Sequence, residues 1–267
     1  LVLTLAFGYV RYVNLAAPPD MIFDEVYHSK AAQEIWTGKA PNEWVHPPLA
    51  KLLIGGGIKL FGMNSFGWRF IPWLAGCFVL PILYVLARNL IPDRRCALVG
   101  TLLFAFDGCY FVLSRTAMTN VFAVLWQIAA ITSFLLYLKQ ASVKGGRLGY
   151  GGWLMVTSVL CGLGVSTRWT CLWLIAFLSG LYALHTTWHV FHAQTHTRHL
   201  NPASKVFAYL LAAVSGLVHF YLIQGALYLL AYYPLVLSGA YPNYDYVVSL
   251  QPQIWNFHTT FTTHHPY

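Results

Sequence analysis

Charge is what this sequence has least of. Only 9% of its 267 residues are charged, eight acidic and sixteen basic, where a soluble domain carries about 25%. That scarcity argues against a soluble domain. The 58% hydrophobic content and mean hydropathy of +0.57 point to a membrane protein with several spans. Cysteine is also sparse. The five (Cys77, Cys96, Cys109, Cys161, Cys171) lie mostly inside apolar runs with no C-x-x-C pairing, so they read as small buried hydrophobes rather than a disulfide framework or zinc site. There is no G-x-x-x-x-G-K-[ST] and no strand-borne G-x-G-x-x-G; Gly55-Gly56-Gly57 sits in a helical context. Nor is there a D-x-D pair of the kind that holds the metal of a nucleotide sugar, so a soluble nucleotide donor is disfavoured. No cleavable leader, internal repeat or low-complexity tract is visible. The chain begins at Leu1 rather than Met and stops at Tyr267 within a polar segment, and so reads as a fragment of a longer one.

What is present is a series of apolar windows near the length that crosses about 30 Å of hydrocarbon. They fall at 1–15, 67–91, 97–114, 118–138, 152–168, 170–188 and 206–235, about seven transmembrane helices. Polar breaks ("RNLIPDRR", "KQASVKGGR", "HTRHLNPASK") separate them. Residues 16–66 form the longest loop, and 236–267 a second polar segment rich in aromatics, Pro and His. The net charge of +8 comes from basic residues scattered at segment ends, which fits lipid headgroups and an anionic ligand site better than nucleic acid. Counting Lys and Arg leaves the two sides tied. The denser short loops read as cytoplasmic, and the two long loops then lie outside.

The long loop holds five of the eight acids: Asp20, Asp24, Glu25, Glu34 and Glu43. Asp24 suits a helix N-cap and Glu25 the first turn, with Lys30 and Glu34 spaced as an i,i+4 pair and Gly38 as the stop. Pro47-Pro48 starts a second helix, "LAKLLIGGGIKLFG", whose Lys51 and Lys59 suggest that it lies along the membrane surface. The acid pair admits two compatible readings. It caps a helix, or it supplies a general base held beside apolar Ile22, Phe23 and Val26. Arg69, Arg115 and Arg168 fall at matching depth on the same side as Asp24. Taken singly each reads as a snorkelling side chain; together they suit a phosphate oxyanion. Carboxylate plus arginines fits transfer from a lipid phosphate. His46 and Lys51 are possible further contacts, as is His265 near the end of the chain. Asp107, inside a span, is expected to pair, for instance with an arginine. His185, His189, His192, His196 and His199 share a helix face, a spacing that can bind zinc, but no Cys or carboxylate joins them. A polar interfacial stripe is the simpler account.

"FDEVYHSKAAQEI", "HPPLAKLLIGGGIKLFGMNSFGWRF", "LFAFDGCYFVLSRTAM" and "FHTTFTTHHPY" together resemble the dolichyl-phosphate-mannose–protein mannosyltransferase family, in order, through nearly the whole chain. The resemblance implies an all-α glycosyltransferase C-type membrane fold. Residues 1–235 would be the transmembrane domain with catalytic loop 16–66, and 236–267 the start of a second extracytoplasmic loop. It also implies an inverting transfer of mannose from a polyprenyl (dolichyl) phosphate to Ser or Thr of secreted or membrane proteins. Such an enzyme would be a multi-pass protein of the cell membrane with its catalytic loop outside. By the same resemblance Asp24 and Glu25 match the catalytic acid and its neighbour, and Arg69 matches the arginine associated with the donor phosphate. Relatives often carry Asp where this chain has Thr119-Asn120, so no acid role passes there. No cofactor is called for, no metal ligand is identified, and a divalent metal is left open. The rival readings are a related transferase moving another sugar to a lipid or glycan, and a transporter. Transporters hold their charges near the bilayer midplane rather than in loops and at span ends.

Overall fold

The computed structural model describes residues 2–143, 151–192 and 202–260, and all regular structure among them is helical. A first helix, α1 (Val2–Tyr12), leads into the long loop, which carries α2 (Glu25–Trp36) and α3 (Leu49–Phe61). Then come α4 (Ser65–Leu90), α5 (Arg94–Ala105), α6 (Gly108–Leu113), α7 (Asn120–Val143), α8 (Gly151–Val165) and α9 (Cys171–His192). The last described stretch holds α10 (Pro202–Leu217), a π-helical turn (Val218–Leu222), α11 (Ile223–Leu237) and α12 (Tyr244–Thr260).

Every apolar window is helical, but the count of seven spans is not reached by length. Among the described residues four helices are long and apolar enough to cross a membrane: Ser65–Leu90, Asn120–Ala141, Cys171–Val190 and Pro202–Leu237. The last runs through the π turn without a break. The window at 97–114 is two helices, because Asp107 interrupts it. Its Oδ1 accepts the Tyr110 N–H at 2.7 Å and caps α6. Asp107 is therefore a cap and not the partner of an arginine.

The long loop is built nearly as its sequence predicts, with three differences. The Asp24 side chain, expected to cap α2, makes no capping bond. Glu34 does not pair with Lys30; it accepts from Asn42 N at 2.8 Å and Asn42 Nδ2 at 2.6 Å, folding the loop back after α2. And α3 is not simply laid on a surface. Ala50 and Ile54 are fully buried in one core with Trp68, Val79 and Phe122. The glycine run permits this, since a Cβ on Gly57 would stand 2.5 Å from the Gly67 carbonyl oxygen of α4. Gly38, at φ 74, ends α2 in the left-handed region as expected.

A second core joins α7, α8 and α9 to Phe220 of the π turn, and a third joins α11 and α12 to Ile35 of α2. One end of the bundle gathers the long loop and the turns at 114–119, 166–170 and 238–243. Glu25 bonds Ala117 N, the Leu49 N–H donates to Ser166 O at 3.1 Å, and Arg115 reaches the Val13 and Asn14 carbonyls. Arg69, Arg115 and Arg168 all lie at this end with Asp24. At the other end Lys139 bonds Asn89.

Candidate active site

The two adjacent acids have opposite environments. Glu25 is 0% exposed and Arg69 is 1% exposed. Arg69 Nε and Nη2 donate to the two Glu25 oxygens at 2.8 and 2.7 Å, a bidentate pair. Its remaining N–H groups go to the carbonyls of Leu15, Pro18 and Asp20. A guanidinium has five N–H donors, and all five are used. Glu25 also accepts from Ile22 N and Ala117 N. The pair is closed: it ties the loop, α2, α4 and the 114–119 turn together, and it presents no open donor to a phosphate and no open lone pair to a proton.

Asp24 is exposed. It stands at the N-cap of α2, where its carbonyl accepts from Tyr27 N and His28 N, but its side chain makes no capping bond. No described residue hydrogen-bonds its carboxylate. Phe23, just before it, holds φ 50, a left-handed conformation uncommon for a bulky side chain. That turn sends Glu25 inward and leaves Asp24 outward. Burial disfavours the charge of Arg168, in the turn between α8 and α9, while Cys171, Asp24 and Glu43 favour it. Only Nη1 of Arg168 is engaged, by Thr119 Oγ1 at 3.2 Å and Asn120 Oδ1. Its Nε and Nη2 have no acceptor among the described residues.

Arg168 lines a cavity of about 440 Å³ with His46, Trp169, Trp173, Trp255 and His258. His258 comes from α12, in a segment that reads as plain polar loop; its ring lies 5.8 Å from His46 and 6.2 Å from Trp169. His46 lines the cavity with Arg168. Its Nδ1 lies 2.9 Å from Glu43 Oε1, an acid to which sequence reasoning assigned no role. Lys51 is 1% exposed and does not face the cavity. It donates to Glu43 Oε2, Glu43 O and His46 O at 2.6–2.7 Å, which uses all three of its protons. Arg115 bonds the Val13 and Asn14 carbonyls and stacks near Phe111, apart from Arg168. His265 lies outside the described residues, as do His196 and His199 of the histidine stripe. Within the stripe His185 and His189 touch at 3.0 Å, and no group of three or more His, Cys, Asp or Glu able to hold a metal occurs among the described residues.

Below the cavity an apolar groove continues along α9. One hollow of about 430 Å³ shares Trp169, Leu172 and Ala176 with the cavity; a further one of about 490 Å³ shares Ala176, Phe220 and Tyr221 with the second. From Leu172 to Thr187 the groove follows α9 for about 22 Å at 1.5 Å per residue, most of the hydrocarbon thickness of a bilayer.

A free carboxylate, a half-used arginine and an apolar groove at one end of a helical bundle agree with the family model that matches residues 59–238, described as dolichyl-phosphate-mannose-protein mannosyltransferase. The chain belongs to that family. The matched stretch contains Arg69, Arg115 and Arg168; Asp24, Glu25 and His46 precede it. A polyprenol-phosphate-mannose–protein mannosyltransferase of Mycolicibacterium smegmatis is 28% identical over 275 aligned residues, covering 91% of this chain and 50% of that protein. The chain thus spans about half the length of this mannosyltransferase. Among solved structures, the Saccharomyces cerevisiae Pmt1–Pmt2 complex bound to the sugar donor is similar with a TM-score of 0.70 at 23% identity, over 89% of this chain and 33% of that one. ArnT from Cupriavidus metallidurans in the apo state is similar with a TM-score of 0.58 at 15% identity, over 100% of this chain and 44% of that one. The fold is that of the C-type glycosyltransferases, and the protein is a membrane protein.

Proposed function

We propose that the protein is an inverting mannosyltransferase that moves mannose from a polyprenyl phosphate to Ser or Thr hydroxyls of secreted or membrane proteins. The observation that carries this reading is the exposed Asp24 carboxylate, without a hydrogen bond to any described residue, at the end of the bundle where Arg168, with two uncommitted nitrogens, lines the cavity next to the α9 groove. The acceptor oxygen attacks the anomeric carbon while its proton passes to Asp24. The bond from that carbon to the phosphate oxygen breaks on the opposite side, and the free Nε and Nη2 of Arg168 stabilise the departing phosphate monoester. The groove takes the polyprenyl tail. In this reading Glu25 and Arg69 hold the loop rather than touch substrate, and Arg168 takes the phosphate role that the resemblance gave to Arg69. Arg115 fixes the lip of the site. Residues 1–235 form the transmembrane domain with loop 16–66 catalytic and 236–267 beginning a second loop, both facing outward across the cell membrane. Family membership and the names of the relatives support mannose as the sugar and protein as the acceptor.

The test is transfer from a mannosyl-phosphoryl polyprenol to a Ser/Thr peptide by the full chain in detergent or vesicles. Mannosyl peptide of inverted anomeric configuration is the expected product. No transfer, or retained configuration, overturns the reading.

A further inference from the structure

Glu43 lies in the link between α2 and α3 and is the centre of a compact charged cluster. Oε1 accepts the His46 backbone N–H at 2.9 Å and lies 2.9 Å from His46 Nδ1. Oε2 takes the Lys51 ammonium at 2.7 Å and stands 3.8 Å from His28 Nδ1. Burial opposes the charge of Glu43, but Lys51 and the two histidines hold its carboxyl well below the usual carboxylate range. An ionised carboxylate has only lone pairs to offer, so the hydrogen between it and His46 belongs to Nδ1. In the neutral ring that leaves Nε2, on the far side, as an acceptor. Burial, with help from Arg168 and His28 and against Glu43, disfavours a second proton on His46. His28 and His258 meet the ring at 5.6 and 5.8 Å, nearly edge-on, and restrict its rotation. His46 thus brings to the cavity an acceptor of fixed orientation, next to a cation with unused donors.

A ligand that suits both must carry an anionic oxygen and, nearby, a hydroxyl. A sugar joined to a phosphate has that pair. We propose that His46 Nε2 accepts a hydrogen bond from a ring hydroxyl of the donor sugar, and that Glu43 is the positioning residue that selects the His46 tautomer for it. This rests on the transfer reading above. The hydroxyl belongs to the donor rather than to the acceptor, because Arg168, which shares the cavity with His46, is the group that would hold the donor's phosphate.

The test compares kcat/KM of the full chain for mannosyl-phosphoryl polyprenol with that for its monodeoxy-mannosyl analogues. In the wild type one deoxy analogue is expected to be poorer by about tenfold, the size of one lost hydrogen bond in a closed site. In His46→Phe that penalty disappears while those of the other analogues remain. Glu43→Gln keeps an amide oxygen that accepts from His46 Nδ1, and removing Glu43 alone strands Lys51 without its anion, so the double variant Glu43→Leu/Lys51→Met is measured; its penalty shrinks while the parent donor is still turned over. A discrimination pattern unchanged in His46→Phe overturns the proposal and leaves the transfer reading standing. Absence of transfer from the parent donor in the wild type overturns both. Loss of the penalty in His46→Phe with full retention in the double variant overturns the role of Glu43.

Discussion

Asp24 and Glu25 are neighbours in the chain, yet only Glu25 closes an ion pair with an arginine. At Glu25 the carboxylate accepts four hydrogen bonds and Arg69 gives five, so the ion pair is complete within the protein. At Asp24 the carboxylate is exposed, and Arg168 spends only one of its nitrogens on Thr119 and Asn120. A saturated pair fixes structure, whereas an acid and an arginine with bonds still unmade are available for a ligand. The same two residue types serve both purposes, and the difference lies in how many of their bonds the fold has already made.

The sharpest way to break this contrast is to neutralise each acid separately. Asp24→Asn should lower kcat for peptide mannosylation by about 10²–10⁴-fold, the usual contribution of a general base, with the unfolding midpoint unchanged. A variant that kept normal turnover would remove Asp24 from the chemistry. Glu25→Gln should show the reverse emphasis. It strands the buried Arg69 charge at a cost of about 3–5 kcal/mol, read as a large fall in thermal midpoint or loss of folded yield. Replacing both members, Glu25→Gln with Arg69→Met, should restore much of that stability; a double variant no better than the single would show that the pair's charges are not the source. Next in size is Arg168→Gln. One charge-assisted bond to the donor is worth about 1.5–3 kcal/mol, so kcat/KM for the lipid donor should fall by tenfold or more. Folding should be little affected, since Arg168 has few protein partners. The smallest effect is expected at Asp107, an acid remote from both Asp24 and the Glu25–Arg69 pair. Asp107→Ala should cost about 1 kcal/mol of stability through the lost cap on α6 and leave the transfer rate alone.

Much of this fold was legible because apolar windows and helix signals are local. The starts of α2 and α3 followed from Asp24 and from Pro47-Pro48, and the stop from Gly38. The number of spanning helices was less legible, because an apolar window does not reveal that Asp107 will accept the Tyr110 N–H and cap a new helix. The division of labour between Asp24 and Glu25 was not readable at all. Both suit a helix start, and what separates them lies 44 and 92 residues further on, at Arg69 and Ala117. Likewise Arg69 and Arg168 looked equivalent at matching depth until their partners could be counted. Glu43 carried a usable signal: in "EWVHPPLAK" it precedes His46 by three and Lys51 by eight residues, and a charged triplet in an apolar chain calls for pairing. His258 carried none, since nothing local says that α12 returns to cover the cavity.

The Glu25–Arg69 pair also sets an order on biogenesis. Its carboxylate lies in the first long loop, its guanidinium at the head of α4, and one of its backbone donors at Ala117, beyond α6. While the chain is being inserted, the loop can hold its native path only once those later segments have emerged and packed. Asp24, the residue next to the pair, is therefore aimed late, and a chain whose insertion stalls before residue 117 has its acids in place in sequence but no site.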